Sequence, residues 1–216
     1  FTSGTKPECI VYWGHNPMNS GPDGETRFVV RESLAGKPKT IVVDPRRTEL
    51  AKNADLWLQL RPGTDDALAL AMLHTIIEEK LYDAAFVNEW THGFEALAER
   101  VQRYSPEWAA PITWVPAEKI RAAARLYAAT KPSMMEWGCA IEHTPNTIQT
   151  VRAISMLPAL TGNIDVPGGW VFGMKGLGRF PSLIENLTPE MNAKRLGADR
   201  FKMLSGEGAD LPAAHI

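Results

Sequence analysis

The chain has 216 residues, 44% of them hydrophobic and 22% charged, with a formal net charge of −2. That size and balance suit a globular protein with one full core and an appendage. With no polybasic run, nothing points to nucleic acid or an anionic membrane surface as a partner, and a small-molecule ligand fits better.

The first expected strand is CIVYW (9–13), which runs into Gly14, His15, Asn16 and Pro17 and then a polar loop with Ser20, Gly21, Pro22 and Gly24. Gly14 can take the positive φ of a tight turn and leaves room for a ligand to reach the main chain. No GxGxxG motif is present. A helix to about residue 35 follows, stopped by Gly36 and Pro38. The second strand, TIVV (40–43), is short, β-branched and uninterrupted, as in a strand covered on both faces. It ends in Asp44, Pro45, Arg46 and Arg47. After a short helix at 48–53 comes a third strand (56–60), closed by Arg61, Pro62, Gly63, Thr64, Asp65 and Asp66. Leu68, Met72 and Ile76, with Leu73 and Ile77 beside them, then recur at helical spacing. Thr64 is the expected N-cap of that helix, and the two carboxylates suit its dipole.

Short helices are expected at 83–90 and 94–101. Pro106, Pro111 and Pro116 punctuate the next stretch, and Pro116 opens a helix to 129 whose tight face is Ile120, Ala123, Ala124 and Tyr127. PSMMEW (132–137) reads as a fourth strand, ending at Gly138 and Cys139. A helix from Pro145 has Ile148, Val151, Ile154 and Leu157 as its buried row and is weakened at Pro158. Beyond residue 173 the chain is rich in Gly and Pro, with one short helix at 189–196. Cys9 and Cys139 each lie in an apolar, strand-like segment and read as buried reduced thiols. Clustered cysteines for an all-Cys iron–sulfur centre are absent from the sequence. No apolar run approaches the roughly 20 residues of a membrane-spanning helix. The chain opens without methionine and closes on LPAAHI, and is expected to be part of a longer polypeptide.

Strands alternating with helices imply an α/β fold with a parallel sheet, in which ligands bind at the carboxyl ends of strands. Asp44 and Asp65 are therefore the first candidates for ligand contact. Each has a second reading: Asp44 as a cap for the short helix after it, and one of Asp65 and Asp66 as a dipole partner alone. His15 and His143 read as hydrogen-bonded structural residues. Glu142 and His143 are no metal pair, since sequence neighbours diverge and no third ligand is spaced with them. Trp13, Trp137 and Trp170 read as packing residues, the first two bordering a ligand groove.

Four segments carry a family resemblance: VYWGHNP (11–17), IVVDPRRTELAKNADLWLQLRPGTDDALALA (41–71), WGCAIEHT (137–144) and LTGNIDVPGG (160–169). In this order and spacing they resemble the molybdopterin oxidoreductase family. Its members are molybdenum or tungsten enzymes with two molybdopterin guanine dinucleotides, among them formate dehydrogenases, nitrate reductases and dimethyl sulfoxide reductases. The resemblance implies a three-layer αβα, Rossmann-like domain with a mostly parallel sheet over 1–173. Residues 174–216 would lead, loop-rich, into a neighbouring domain, and the run LGRFPSLIENLTPE (177–190) is similar to acetylene-hydratase-like members.

By the same resemblance, Trp13, Gly14, His15, Asn16, Pro17 and Ser20 lie along the cofactor's diphosphate and ribose. Val43, Asp44, Pro45, Arg46 and Arg47 meet the guanosine, Gly63, Thr64 and Asp65 read guanine, and Gly138 and Glu142 face the pterin or the metal. The chemistry agrees: a carboxylate matches guanine's adjacent N1–H and amine donors, and arginine pairs with phosphate. No catalytic residue or metal ligand is assigned. The cysteines of a 4Fe-4S cluster, the metal-ligating loop and a closing β-barrel would belong to the parent enzyme outside this chain. The chain alone is thus expected to be inactive, with the remaining domains and electron-transfer subunits as its partners. Two other readings stand beside this one. A non-redox nucleotide-binding module, such as the central domain of thiamine-dependent enzymes, would prefer adenine or flavin. A structural or interaction domain would bind nothing at its strand ends.

Overall fold

A computed structural model of the chain describes residues 5–20, 24–171 and 186–195. The loop at 21–23, the glycine-rich passage at 172–185 and the tail from 196 lie outside the described residues, and with them most of the 177–190 run. Strands β1 (Cys9–Trp13), β2 (Lys39–Val43), β3 (Leu56–Leu58) and β4 (Ser133–Trp137) form one sheet of order β3-β2-β1-β4, with every pairing parallel. Parallel neighbours need crossovers, and helices supply them. Helices α1 (Pro17–Ser20) and α2 (Gly24–Ala35) join β1 to β2, and α3 (Glu49–Asn53) joins β2 to β3. The long passage to β4 holds α4 (Asp65–Glu78), α5 (Ala84–Trp90), α6 (Phe94–Val101), α7 (Pro106–Thr113) and α8 (Ala117–Ala129). After β4 come α9 (Cys139–Glu142) and α10 (Thr147–Thr161). The chain divides into two units, Phe1–Phe172 and Gly173–Ile216, and α11 (Pro189–Ala193) belongs to the second.

The two-residue period of a strand sorts the core into two faces. Ile10, Tyr12 and Val42 pack with Met18, Val30, Leu50 and Ala51 of α1, α2 and α3. Cys9, Val11, Trp13, Ile41, Val43, Leu58 and Met135 face the other way, onto a larger cluster. That cluster includes Leu68, Met72 and Ile76 of α4, Ile120 and Tyr127 of α8, and Ile154 and Leu157 of α10. Truncating any one of these fully buried aliphatic side chains removes about 2–5 kcal/mol.

Several local expectations are corrected. Thr64 occupies the N-cap position of α4 as expected but makes no side-chain capping bond, because its hydroxyl is committed to the preceding turn and donates to the Arg61 carbonyl at 2.7 Å. Thr48 does cap α3, accepting from the Ala51 amide at 3.1 Å. Helix α2 ends at Ala35, directly before Gly36 as expected, and the residue that takes the left-handed conformation there is Lys37, at φ 52. The three prolines at 106–116 interrupt less than expected. Pro106 occupies the first turn of α7 behind the Ser105 cap, Pro111 lies within that helix, and Pro116 precedes α8. In α10, Ile154 and Leu157 are buried but Ile148 is 72% exposed. A row of every third residue drifts around a 3.6-residue helix, so one end of it leaves the core. The helix runs through Pro158 and stops at Gly162, φ 65. Cys9 is buried, and desolvation raises its thiol pKa to about 12, whereas Cys139 opens α9 and is exposed.

One polar cluster ties β3 to β2 at the amino ends of the strands. Asp55 accepts from the Lys39 ammonium at 2.9 Å and the Thr40 amide at 2.8 Å. Partial burial opposes its charge, but these bonds prevail and hold the carboxyl below its ordinary range. A lowered folded-state pKa gives stability above the unfolded value, near 4, that is lost as pH falls through the folded one. Asp55→Ala should therefore lower unfolding free energy at pH 7 by about 1 kcal/mol, the low end for bonds to a half-exposed charge. In urea melts the gap to the unsubstituted chain should close below pH 4.

Candidate functional site

The strand register pairs Trp13 with both Val43 and Trp137, and Val43 with Leu58, so all four strands finish level. One row of main-chain bonds crosses this edge: Asp44 N–H to Leu58 O at 3.2 Å, Gly14 N–H to Val43 O at 2.8 Å, and Gly138 N–H to Trp13 O at 3.2 Å. The strand order places the reversal between β1 and β4. Met18 and Val30, after β1, pack on one face, while Ile141 and Ile154, after β4, pack on the other. A crevice at such a parting is where open α/β sheets take ligands. Gly14 turns there at φ 55. At Gly138, an added Cβ would lie 2.5 Å from the Gly14 carbonyl oxygen and 3.2 Å from His15 Cα, so only glycine lets the two loops touch.

The acids at this edge have different employment. Asp65 is the first residue of α4 and 8% exposed, and its Oδ1 accepts from the Trp13 indole Nε1–H at 2.8 Å. Burial pushes its pKa up, against the Trp13 bond and the nearby amides of Asp65 and Gly63. Asp66 is structural: it accepts from the Ala67 amide and, at 2.6 Å, from Asn146 Nδ2, joining the start of α4 to that of α10. Asp44 is 4% exposed and accepts from the Arg46 amide at 2.7 Å, with Arg46 Nε at 3.6 Å. It therefore shapes the 44–46 turn rather than capping α3. The Asp44 carbonyl accepts from Trp57 Nε1, and the Arg47 guanidinium sits 6.0 Å from the Trp57 ring centre. Pro45 accepts from Gln59 through its carbonyl.

In the loop after β1, the Asn16 carbonyl accepts from the amides of Asn19 and Ser20 and from the Ser20 hydroxyl, which fixes α1 behind the buried Pro17. The Asn16 side-chain Oδ1 and His15 Nδ1 are buried without hydrogen bonds, and His15 Nδ1 lies 3.4 Å from Glu136 Oε2. Unpaired buried polar atoms are uncommon and call for a partner. Gly63, at φ 80, faces open space. Glu142 accepts from Trp137 Nε1 at 3.1 Å, and Trp137 meets Trp170 edge to face. Trp57, Glu136 and Asn146 escaped the sequence reading. Glu136 was detectable as a lone acid in an apolar strand, Asn146 as a cap-type residue before a helix, and Trp57 left no signal.

A sequence profile for the molybdopterin oxidoreductase family matches residues 4–212. The chain belongs to the molybdopterin oxidoreductase family. It is 35% identical over 212 residues to acetylene hydratase of Syntrophotalea acetylenica, covering 96% of this chain and 29% of that relative. It is 40% identical over 169 residues to formate dehydrogenase H of Escherichia coli (strain K12), covering 78% of this chain and 23% of the relative. The solved structure of acetylene hydratase from Pelobacter acetylenicus matches with a TM-score of 0.74 at 36% identity, over 92% of this chain and 28% of that one. The chain thus spans less than a third of the length of these relatives. Membership of the molybdopterin oxidoreductase family implies a molybdopterin cofactor with molybdenum or tungsten. Among the described residues no group of three His, Cys, Asp or Glu is placed to hold a metal ion, and no helix is long and apolar enough to cross a membrane.

A carboxyl with a raised folded-state pKa opposes folding at neutral pH, and that penalty disappears as pH falls below its unfolded value. Asp65→Asn keeps an acceptor for Trp13 and removes the buried charge. It should raise the ligand-free melting temperature at pH 7 by about 2–4 °C, the shift ~1 kcal/mol gives a domain of this size. Calorimetric scans at pH 4 should show a smaller difference.

Proposed function

We propose that residues 1–173 form a binding domain for molybdopterin guanine dinucleotide, with the guanosine end held at the carboxyl edge of the sheet. The observation that carries this reading is Asp65, an acid kept at the strand ends in a largely buried position and held there by an indole donor. Charge is retained in such a place when a ligand repays it, and guanine offers two adjacent donors that match a carboxylate.

The remaining residues divide the work along the edge. Gly63 and Thr64 shape the turn that presents Asp65. Val43 and Pro45 border the sugar, Asp44 offers its buried carboxylate to a ribose hydroxyl, and the exposed Arg46 and Arg47 pair with phosphate. Asn16 Oδ1 is a buried acceptor and His15 Nδ1 a buried ring nitrogen, each without a hydrogen bond, so both suit a polar ligand in the loop that Trp13, Gly14, Pro17 and Ser20 build. Gly138 lets the β4 loop close onto that loop, and Glu142 stands toward the pterin end. When bound, the metal–pterin group supplies the redox or hydration chemistry. This chain's part is to bind, orient and shield it.

In this reading residues 174–216 lead into a neighbouring domain. A 4Fe-4S cluster, the metal's protein ligand and any electron-transfer subunits belong to the parent enzyme, and this chain alone does not turn over substrate. Titration calorimetry of the chain with GDP, ADP and NAD tests the nucleotide assignment. GDP should bind about tenfold or more tighter than ADP, and Asp65→Asn should erase that preference. Tighter ADP or NAD binding would return the site to the adenine-preferring class, and equal binding of all three would refute guanine recognition.

A further inference from the structure

We infer that Trp13 is the residue that makes Asp65 selective for guanine, acting as a fixed donor that orients the carboxylate rather than as a contact to the ligand. The inference rests on the guanine reading above and adds a residue to it.

Trp13 ends β1 and is 0% exposed, so it does not reach a ligand in the crevice. Its ring belongs to the larger core cluster with Leu68 and Ile141, which fixes the indole by packing. From there Nε1–H bonds Asp65 Oδ1 at 2.8 Å, across 52 positions of sequence. The bond is reciprocal. Without Asp65 the indole would be a buried donor lacking a partner, and without Trp13 the carboxylate would be free to turn toward other donors of its own helix start. The contrast with Asp66 is direct, since its two oxygens are taken by the Ala67 amide and Asn146 Nδ2. A rigid donor behind a ligand-reading acid sets its rotamer and keeps its acceptor edge aimed one way. Phenylalanine would fill nearly the same core space and supply no donor.

The guanine-specific part of binding is read by comparing GDP with IDP, which lacks the exocyclic amine. Calorimetry of the chain, of Asp65→Asn and of Trp13→Phe gives the split for each, with circular dichroism and melts confirming folding. The unsubstituted chain should favour GDP by about tenfold. Trp13→Phe should bring the two ligands within about twofold while IDP affinity stays near the starting value, a pattern that general loosening of the core would not produce. A split lost in Asp65→Asn but kept in Trp13→Phe overturns this inference alone. A split missing from the unsubstituted chain, or surviving in Asp65→Asn, overturns the guanine reading and this inference with it. Should Trp13→Phe fail to fold, the unsubstituted chain still decides by NMR. The Trp13 indole proton shift should follow the Asp65 carboxyl titration with the same midpoint, and an indole signal indifferent to that titration refutes the tether.

Discussion

The level finish of four parallel strands is the constraint on which the site depends. It comes from register, and register comes from two buried faces. A slip of one residue would exchange the sets Ile10–Tyr12 and Cys9–Val11–Trp13 between a small cluster and a large one, and neither cluster could accept the other's side chains. With register fixed, Leu58, Val43, Trp13 and Trp137 end together, and the loops after them begin at one edge. The same register turns Trp13 toward α4, where Asp65 is. The contact between Gly138 and the Gly14 carbonyl then sets how closely the β1 and β4 loops part, with no side chain between them.

Polar groups at that edge fall into two kinds. Asp44, Asp66, Ser20 and Pro45 have their bonds inside the protein, and they hold loops and helix starts in place. Asp65, Asn16 and His15 are under-compensated: the first carries charge against burial, and the other two hold buried side-chain atoms without hydrogen bonds. The first kind gives the architecture its rigidity. The second kind reduces stability in the ligand-free protein, as a preformed binding site does.

How much of this was legible in sequence depended on range. The bounds of β1 and α6, the buried row of α4 and the tight face of α8 followed from local periodicity, and they hold because no distant contact contradicts them. The strand-end turns were legible too, since Gly14 and the Arg61–Asp65 turn announce themselves by residue type. Local pattern gave Thr64 its position at the start of α4 but not the bond of its hydroxyl, and a row of every third residue misleads as a helical face, as with Ile148. The strand ends at Trp137 as expected, and Cys139 is exposed because it lies beyond that end as the first residue of α9. Pairings between Trp13 and Asp65 or Asp66 and Asn146 span 52 and 80 positions, and no local pattern encodes them.

The two faces of the sheet are unequal, and this has a kinetic side. The loop after β1 is anchored through α1 and α2 to the smaller cluster, in which Met18 and Val30 are the buried contributions of those helices. Asp65 is anchored through α4 to the larger one, among side chains of α8 and α10. Local opening follows the amount of apolar surface that must be exposed, so α1 and α2 separate from the sheet at lower free energy than α4 does. One wall of the crevice is therefore the first to open locally, while the other shares the stability of the larger core.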